Sequence, residues 1–287
     1  MKNILFQGNI IEQRKVVDVE DRSYQFGDGI YEVIGVYDGK PMLLDEHLER
    51  LRRSASAIQL TLPMALSSLK SKLLELAELN GLREGIIYLQ VSRGVAPRWH
   101  EFPAPDVDPV CLAYTREEQR MTDIEDNGAK AILTEDIRWL RCDIKTLNLL
   151  PNVLAKQKAV EHDAIEAIFH RGKVITEASS SNVFIVNDGQ LFTHPANNYI
   201  LNGITRQKVF QLSDRLQIPV NEKTFTLNDL LAADEVFITA TKLDIVPIIK
   251  VDDDRIGDGL PGSVTKRIIE QFRLDVKHLT KNQCLHR

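Results

Sequence analysis

Along the first part of the chain, short apolar runs give way to helical spacing and then return to strands. Asn3–Phe6 and Asn9–Gln13 flank Gln7-Gly8 and predict a hairpin. Ile30–Tyr37 is β-branched and aromatic, which predicts a strand, and Asp38-Gly39 predicts the turn into Pro41–Leu44. Leu48, Leu51, Ala55 and Ile58 recur at helical spacing and predict a helix with one apolar face. Asp45 stands where it can cap that helix, and Arg50 and Arg53 fall off its stripe. Leu66–Leu79 predicts a second helix, ended by Asn80-Gly81. Gly85–Ser92 and Val110–Tyr114 read as strands around the proline-bearing loop 93–108.

Residues 115–126 are polar and without periodicity, so a linker is expected there between domains at 1–114 and 127–287. The second domain opens with a strand at Lys130–Thr134 and a helix from about Asn152 to Glu161, with Pro151 in its first turn. Short strands follow at Ala164–Phe169, Val174–Thr176, Val183–Val186 and Leu191–Thr193. A helix is expected over Ile204–Leu216, strands over Glu235–Ala240 and Ile245–Val251, and a last helix over Ser263 to about Phe272. Runs of strands with segregated helices predict α+β architecture in each half.

Composition narrows the function classes. In 287 residues, hydrophobic side chains make up 43% and charged ones 27%, the balance of a globular protein. A net charge of −5 gives no basic face for nucleic acid or an anionic membrane, so neither is an expected partner. Cys111, Cys142 and Cys284 are an odd count with no close pair, which fits a reducing compartment. Neither they nor the scattered histidines have metal-ligand spacing, so no metal is expected. The opening apolar run Ile4-Leu5-Phe6 is too short for a signal-peptide core, so a soluble cytoplasmic protein is expected.

Four segments carry candidate chemistry. Lys145 lies between the largely apolar flanks Ile137-Arg138-Trp139-Leu140 and Leu147–Leu150. Partial desolvation there lowers a lysine's pKa and frees the amine for attack on a carbonyl; the other reading is a surface lysine. Leu201-Asn202-Gly203-Ile204-Thr205-Arg206 opens a helix, either as a phosphate cradle or as an ordinary loop-to-helix junction. It matches neither a P-loop nor a dinucleotide fingerprint. Thr176-Glu177-Ala178-Ser179-Ser180-Ser181-Asn182 places a carboxylate among hydroxyls at a strand end, in a cleft or in a polar turn. Arg93-Gly94-Val95-Ala96-Pro97-Arg98-Trp99-His100 offers a guanidinium fork for a carboxylate, or is a solvated loop.

Together with the runs Arg22–Val33 and Ile137–Lys145, these motifs occur in one order, and in that order the sequence resembles the D-amino-acid aminotransferases of fold type IV. The resemblance covers Leu5 to about Phe272. It implies two α+β domains with pyridoxal 5′-phosphate in the cleft between them, Lys145 being carried by the second. Lys145 is implied as the Schiff-base lysine and the base for the α-proton in a ping-pong transamination between D-amino acids and 2-oxo acids. Glu177 matches the partner of the pyridine nitrogen, Arg138 the neighbour of the ring hydroxyl and Leu201 the apolar contact to the ring. Arg50, Ile204, Thr205 and Thr241 match the phosphate contacts, although Ala240 stands where the family's loop carries a small hydroxyl residue. Tyr31, Arg98 and His100 match the trap for the substrate carboxylate. Because that arginine and histidine come from the neighbouring subunit, a homodimer is implied. Branched-chain and other L-specific aminotransferases, and aminodeoxychorismate lyases, share the Lys145, Glu177 and Gly203-Ile204-Thr205 motifs. The Arg98-Trp99-His100 loop is what points to the D-amino-acid branch.

Overall fold

The computed structural model describes residues 2–281, so Cys284 and His286 lie outside the described residues. The chain forms two compact units. The first contains residues up to Arg120, a returning segment, Ile144–Asn148, and the end of the described residues from Leu279; the second contains Met121–Asp143 and Leu149–His278.

The first unit is built from β1 (Asn3–Phe6), β2 (Asn9–Glu12), α1 (Arg22–Phe26), β3 (Gly29–Tyr37), β4 (Lys40–Pro41), α2 (Leu44–Ala57), α3 (Leu66–Leu79), β5 (Gly85–Ser92) and β6 (Val110–Glu117). Its six strands form one sheet in the order β2-β1-β6-β5-β3-β4. Every pairing in it is antiparallel. Leu48, Leu51 and Ala55 of α2 and Leu69, Leu73 and Leu76 of α3 form one core with Ile30, Ile34, Ile87 and Leu89 of the sheet. Because side chains alternate along a strand, Glu32 shares the covered face with Ile30 and Ile34, and Tyr31 faces the other way.

The second unit is built from α4 (Thr122–Asn127), β7 (Ala129–Glu135), α5 (Leu150–Glu161), β8 (Glu166–Arg171), β9 (Val174–Ala178), β10 (Asn182–Asn187), β11 (Gln190–Thr193), α6 (Ile204–Arg215), β12 (Val220–Glu222), α7 (Leu227–Leu231), β13 (Glu235–Ala240), β14 (Asp244–Val251), β15 (Asp254–Arg255) and α8 (Ser263–Lys281). Its nine-stranded sheet runs β12-β11-β10-β13-β14-β7-β8-β9, with β15 paired to β14. Parallel pairs at β14–β7 and β7–β8 make it a mixed sheet.

Several expectations are corrected. Asp45 is not the cap of α2: Leu43 is, in the left-handed region at φ 54°, with no side-chain hydrogen bond. Asp45 sits in the first turn, where a negative charge suits the helix dipole, and both its oxygens accept from Lys70 at 2.7 Å. Of the strand expected over Pro41–Leu44 only Pro41 pairs with β3, and Lys40 before it joins the pairing. Residues 115–126 are not a bare linker: β6 continues to Glu117, opposite Gly85, and α4 begins at Thr122. The last helix runs past Phe272 to Lys281, because Val276 continues its buried stripe. Arg50, although off the apolar stripe of α2, is 5% exposed. Among the described residues, no helix is long and apolar enough to cross a membrane.

Candidate active site

Lys145 belongs to the first unit. Its carbonyl accepts the Tyr31 N–H at 3.0 Å, and the Leu147 N–H donates to Gly29 O at 3.1 Å. Ile30 and Thr146 form an isolated antiparallel bridge, so 144–148 runs along the start of β3. The Lys145 N–H donates to Ser54 Oγ of α2 at 3.2 Å. The half-buried side chain places Nζ 4.2 Å from the Tyr31 ring centroid, within reach of the electron-rich ring face. The expected apolar flank does not shelter it: Ile137, Trp139 and Leu140 are 64%, 46% and 58% exposed. Its surroundings are Tyr31, Ser54 and the buried Ile144 instead.

Tyr31 stacks on Tyr88 at 5.9 Å, and Tyr88 on Tyr114 at 5.0 Å, across three neighbouring strands. Burial raises the Tyr88 pKa, so this hydroxyl stays neutral. Behind β3, Arg50 Nε and Nη2 donate to Glu32 Oε1 and Oε2, each at 2.7 Å. His47 Nδ1 lies 2.7 Å from Glu32 Oε2. Burial acts to raise the Glu32 carboxyl, but Arg50 and His47 outweigh it and hold it down at about 2. Burial lowers the His47 pKa, so the neutral ring donates from Nδ1 to the carboxylate.

Arg98 and His100 are exposed and converge on one half-buried ring. The Arg98 guanidinium lies 4.8 Å from the Phe26 centroid and the His100 ring 5.5 Å from it.

In the second unit, Arg138 Nη1 donates to Glu177 Oε1 at 2.6 Å, while Nε and Nη2 fork onto Asp136 at 2.9 Å. Arg171 Nε and Thr176 Oγ1 also donate to Asp136 Oδ2, at 3.0 and 3.2 Å. Glu177 is 5% exposed. Its Oε2 accepts from the Leu201 N–H at 3.0 Å and from Asn182 Nδ2 at 3.1 Å. Burial raises the Glu177 pKa despite the charge and hydrogen bond of Arg138. A buried carboxylate of this kind gains from a protonated nitrogen placed against it.

Gly203 is the N-cap of α6 and supplies no side-chain cap. The first intrahelical bond here runs from Gln207 N–H to Gly203 O at 3.0 Å, so the N–H groups of Ile204, Thr205 and Arg206 precede the helical ladder. A Cβ on Gly203 would come within 2.1 Å of Asn182 Oδ1. Asn182 cannot easily move, because its Nδ2 also donates to Leu201 O at 2.8 Å. A bare glycine, helix N–H groups and the Thr205 hydroxyl form a donor set that fits a phosphate, and the buried Glu177 carboxylate fits a ring nitrogen. Thr241 follows β13 in the turn to β14, next to Ala240 and half-buried. Two residues before it, the Thr239 hydroxyl is buried with no hydrogen-bond partner.

Each unit therefore assembles its own group: Lys145 with Tyr31 in the first, and Arg138, Glu177, Leu201 and the α6 start in the second. Asp136, Asn182, Glu32 and Thr239 were not singled out by sequence reasoning. Asn182, Glu32 and Thr239 stood inside runs read for other residues; Asp136 carries no local signal. Gly203→Ala is expected to weaken retention of pyridoxal phosphate by about 30-fold, since displacing Asn182 forfeits two hydrogen bonds worth about 1 kcal/mol each. A spectroscopic titration measures this, and an unchanged Kd refutes it.

Residues 29–251 match the family description Amino-transferase class IV. The chain belongs to the class IV aminotransferases: it is a transaminase of fold type IV, a group whose enzymes depend on pyridoxal phosphate. Within that class it is 49% identical to the D-alanine aminotransferase of Staphylococcus haemolyticus over 273 residues, 95% of this chain and 97% of that one. It is 48% identical to the D-alanine aminotransferase of Bacillus licheniformis over 266 residues, 92% and 94% of the two chains. A solved structure of the Escherichia coli branched-chain amino acid aminotransferase superposes with a TM-score of 0.90 at 25% identity, covering 99% of this chain and 97% of that chain.

Proposed function

We propose that this transaminase exchanges amino groups between D-amino acids, D-alanine and D-glutamate among them, and 2-oxo acids such as 2-oxoglutarate and pyruvate. The convergence of Arg98 and His100 on Phe26 carries this reading, because it gathers two carboxylate-binding side chains on one loop. Identity supports the D-specific branch: 49% to a D-alanine aminotransferase, against 25% to the branched-chain enzyme of similar fold.

When bound, pyridoxal phosphate supplies an aldehyde carbon and an electron-withdrawing ring. Lys145 Nζ would be the nucleophile towards that carbon and the base that accepts and passes on the substrate α-proton. Glu177 would favour a proton on the ring nitrogen, and Arg138, held by Asp136, draws that carboxylate towards its charged form against the effect of burial. The Ile204 and Thr205 N–H groups and the Thr205 and Thr241 hydroxyls hold the phosphate, with Arg50 assigned to the same anion and Leu201 to the ring face. Tyr31, Arg98 and His100 receive the substrate carboxylate. Fixing that group on one side of the ring decides whose α-hydrogen meets Lys145, and so selects one enantiomer.

The active form in this reading is a homodimer in which the Arg98–His100 loop serves the neighbouring site. Exposed Trp139, Leu140, Leu150, Val153 and Leu154 support an apolar interface. A cytoplasmic setting fits the buried free thiols, which burial pushes up to about 12 at Cys111 and about 11 at Cys142.

Half-reactions with matched D- and L-amino acids, followed by absorbance, test the substrate class; equal rates for D- and L-alanine overturn it. Arg98→Ala is expected to raise the KM for D-alanine roughly 10- to 100-fold, as expected for a lost charge-assisted contact, without weakening cofactor binding. Mixing that variant with Lys145→Ala should restore low-substrate activity if the loop serves the partner site. Failure of the mixture to do so overturns the shared site.

A further inference from the structure

We infer that Arg22 is a positioning residue for substrate recognition: from beneath the loop it fixes the backbone between Arg98 and His100. The inference rests on the reading that Arg98 and His100 bind the substrate carboxylate.

Arg22 is the first residue of α1 and is 3% exposed. Its own N–H donates to Gly94 O at 3.0 Å, and Asp21 caps the helix by accepting from the Ser23 N–H at 2.8 Å. One edge of the guanidinium is held, Nε donating to Asp28 Oδ2 at 2.8 Å. At the other, Nη1 donates to the Trp99 carbonyl at 2.7 Å. Trp99 is 69% exposed, so this bond serves loop geometry and not the core. It holds the carbonyl of the one residue that separates the two carboxylate-binding side chains.

Asp28 also fixes a second guanidinium. Arg93 Nε donates to its Oδ1 and Oδ2 at 3.1 and 2.9 Å. Arg93 then donates to Ile58 O and Gln59 O at 2.7 and 3.0 Å and covers the Phe102 ring at 3.8 Å. The loop is therefore gripped at Trp99 and at Phe102 by two arginines that share one carboxylate. Phe26 completes the device: Arg22 and Arg98 each lie 4.8 Å from its centroid and His100 lies 5.5 Å away. A planar guanidinium can hold the fork and cover the ring together, which an ammonium cannot.

The test compares holoenzymes of Arg22→Gln, Arg22→Lys, Phe26→Leu and Arg98→Ala. Arg22→Gln should raise the KM for D-alanine and for 2-oxoglutarate about tenfold, the scale of one lost charged hydrogen bond, with kcat and the pyridoxal phosphate Kd changed less than about twofold. Arg22→Lys should fall between that variant and wild type. Phe26→Leu, which keeps an apolar filler, should raise both KM values and stands in if Arg22→Gln does not fold. If Arg98→Ala raises KM but Arg22→Gln does not, the positioning role is wrong. The same holds if Arg22→Gln does not fold and Phe26→Leu behaves as wild type. If Arg98→Ala leaves KM unchanged, the carboxylate reading itself fails and the inference falls with it.

Discussion

Replacing Lys145 with alanine should lower turnover by about 10⁴-fold or more while leaving the protein folded. One side chain serves here as nucleophile and as proton carrier, and each role alone is worth about 10²-fold or more. The fold should tolerate the change because the contacts that seat residue 145 are made by its backbone: its carbonyl to Tyr31 and its N–H to Ser54. Alanine keeps both. Steady-state rates and a thermal melt measured together separate the two effects. Borohydride reduction of the loaded wild type should attach the cofactor's mass to the peptide carrying Lys145, with no such adduct in the variant. A variant within tenfold of wild-type turnover, or an adduct on another lysine, would rule out this assignment.

Glu32→Gln should destabilise the protein by about 3–5 kcal/mol, the usual cost of leaving a buried ion without its partner. Glu32 is wholly buried, and Arg50, its bidentate partner, is 5% exposed. Glutamine keeps the volume but offers one acceptor where two were used. In a chain of this size that is a drop of roughly 10 °C in Tm. The effect depends on pH with a definite sign. The carboxyl lies at about 2 in the fold against 4.5 ordinarily. Its stabilisation is therefore complete above 4.5 and is lost as the pH falls towards 2, a loss of roughly 3 kcal/mol. His47, lowered by burial and partly held up by Glu32, adds its own acid sensitivity. Urea unfolding at pH 7 and near pH 3 should show the gap between the two proteins narrowing in acid. A gap that stays constant removes Glu32 ionisation as its cause.

Much of this was legible in the sequence because it is local. The β-branched and aromatic run of β3, the Asn80-Gly81 stop after α3, and the short strands that became β8 to β11 need only neighbouring residues. Lys145, Glu177 and the start of α6 were found through the order of their motifs. What the sequence hid is non-local pairing. Arg50 reads as a polar helix position until Glu32, on a strand 18 residues earlier, is known to face it. Arg138 reads as one more loop arginine, yet its partners are Asp136, two residues away, and Glu177, 39 away. α1 spans five residues, too few for a periodic signal. α7 is equally short, but its capping box of Thr226 and Asp229 was available to find it. Leu43 in the left-handed region overrides the preference for an acidic cap at Asp45, which no propensity scale anticipates.

The segment Ile144–Asn148 also bears on how such enzymes can be recombined. It follows Met121–Asp143 in the chain but belongs to the unit built mainly from the first 120 residues. A chimera joined at 120/121 would inherit its reactive lysine from one parent and the strand, α2 serine and tyrosine ring that seat it from the other. Crossovers that exchange 144–148 together with the first 120 residues keep nucleophile and cradle from the same parent.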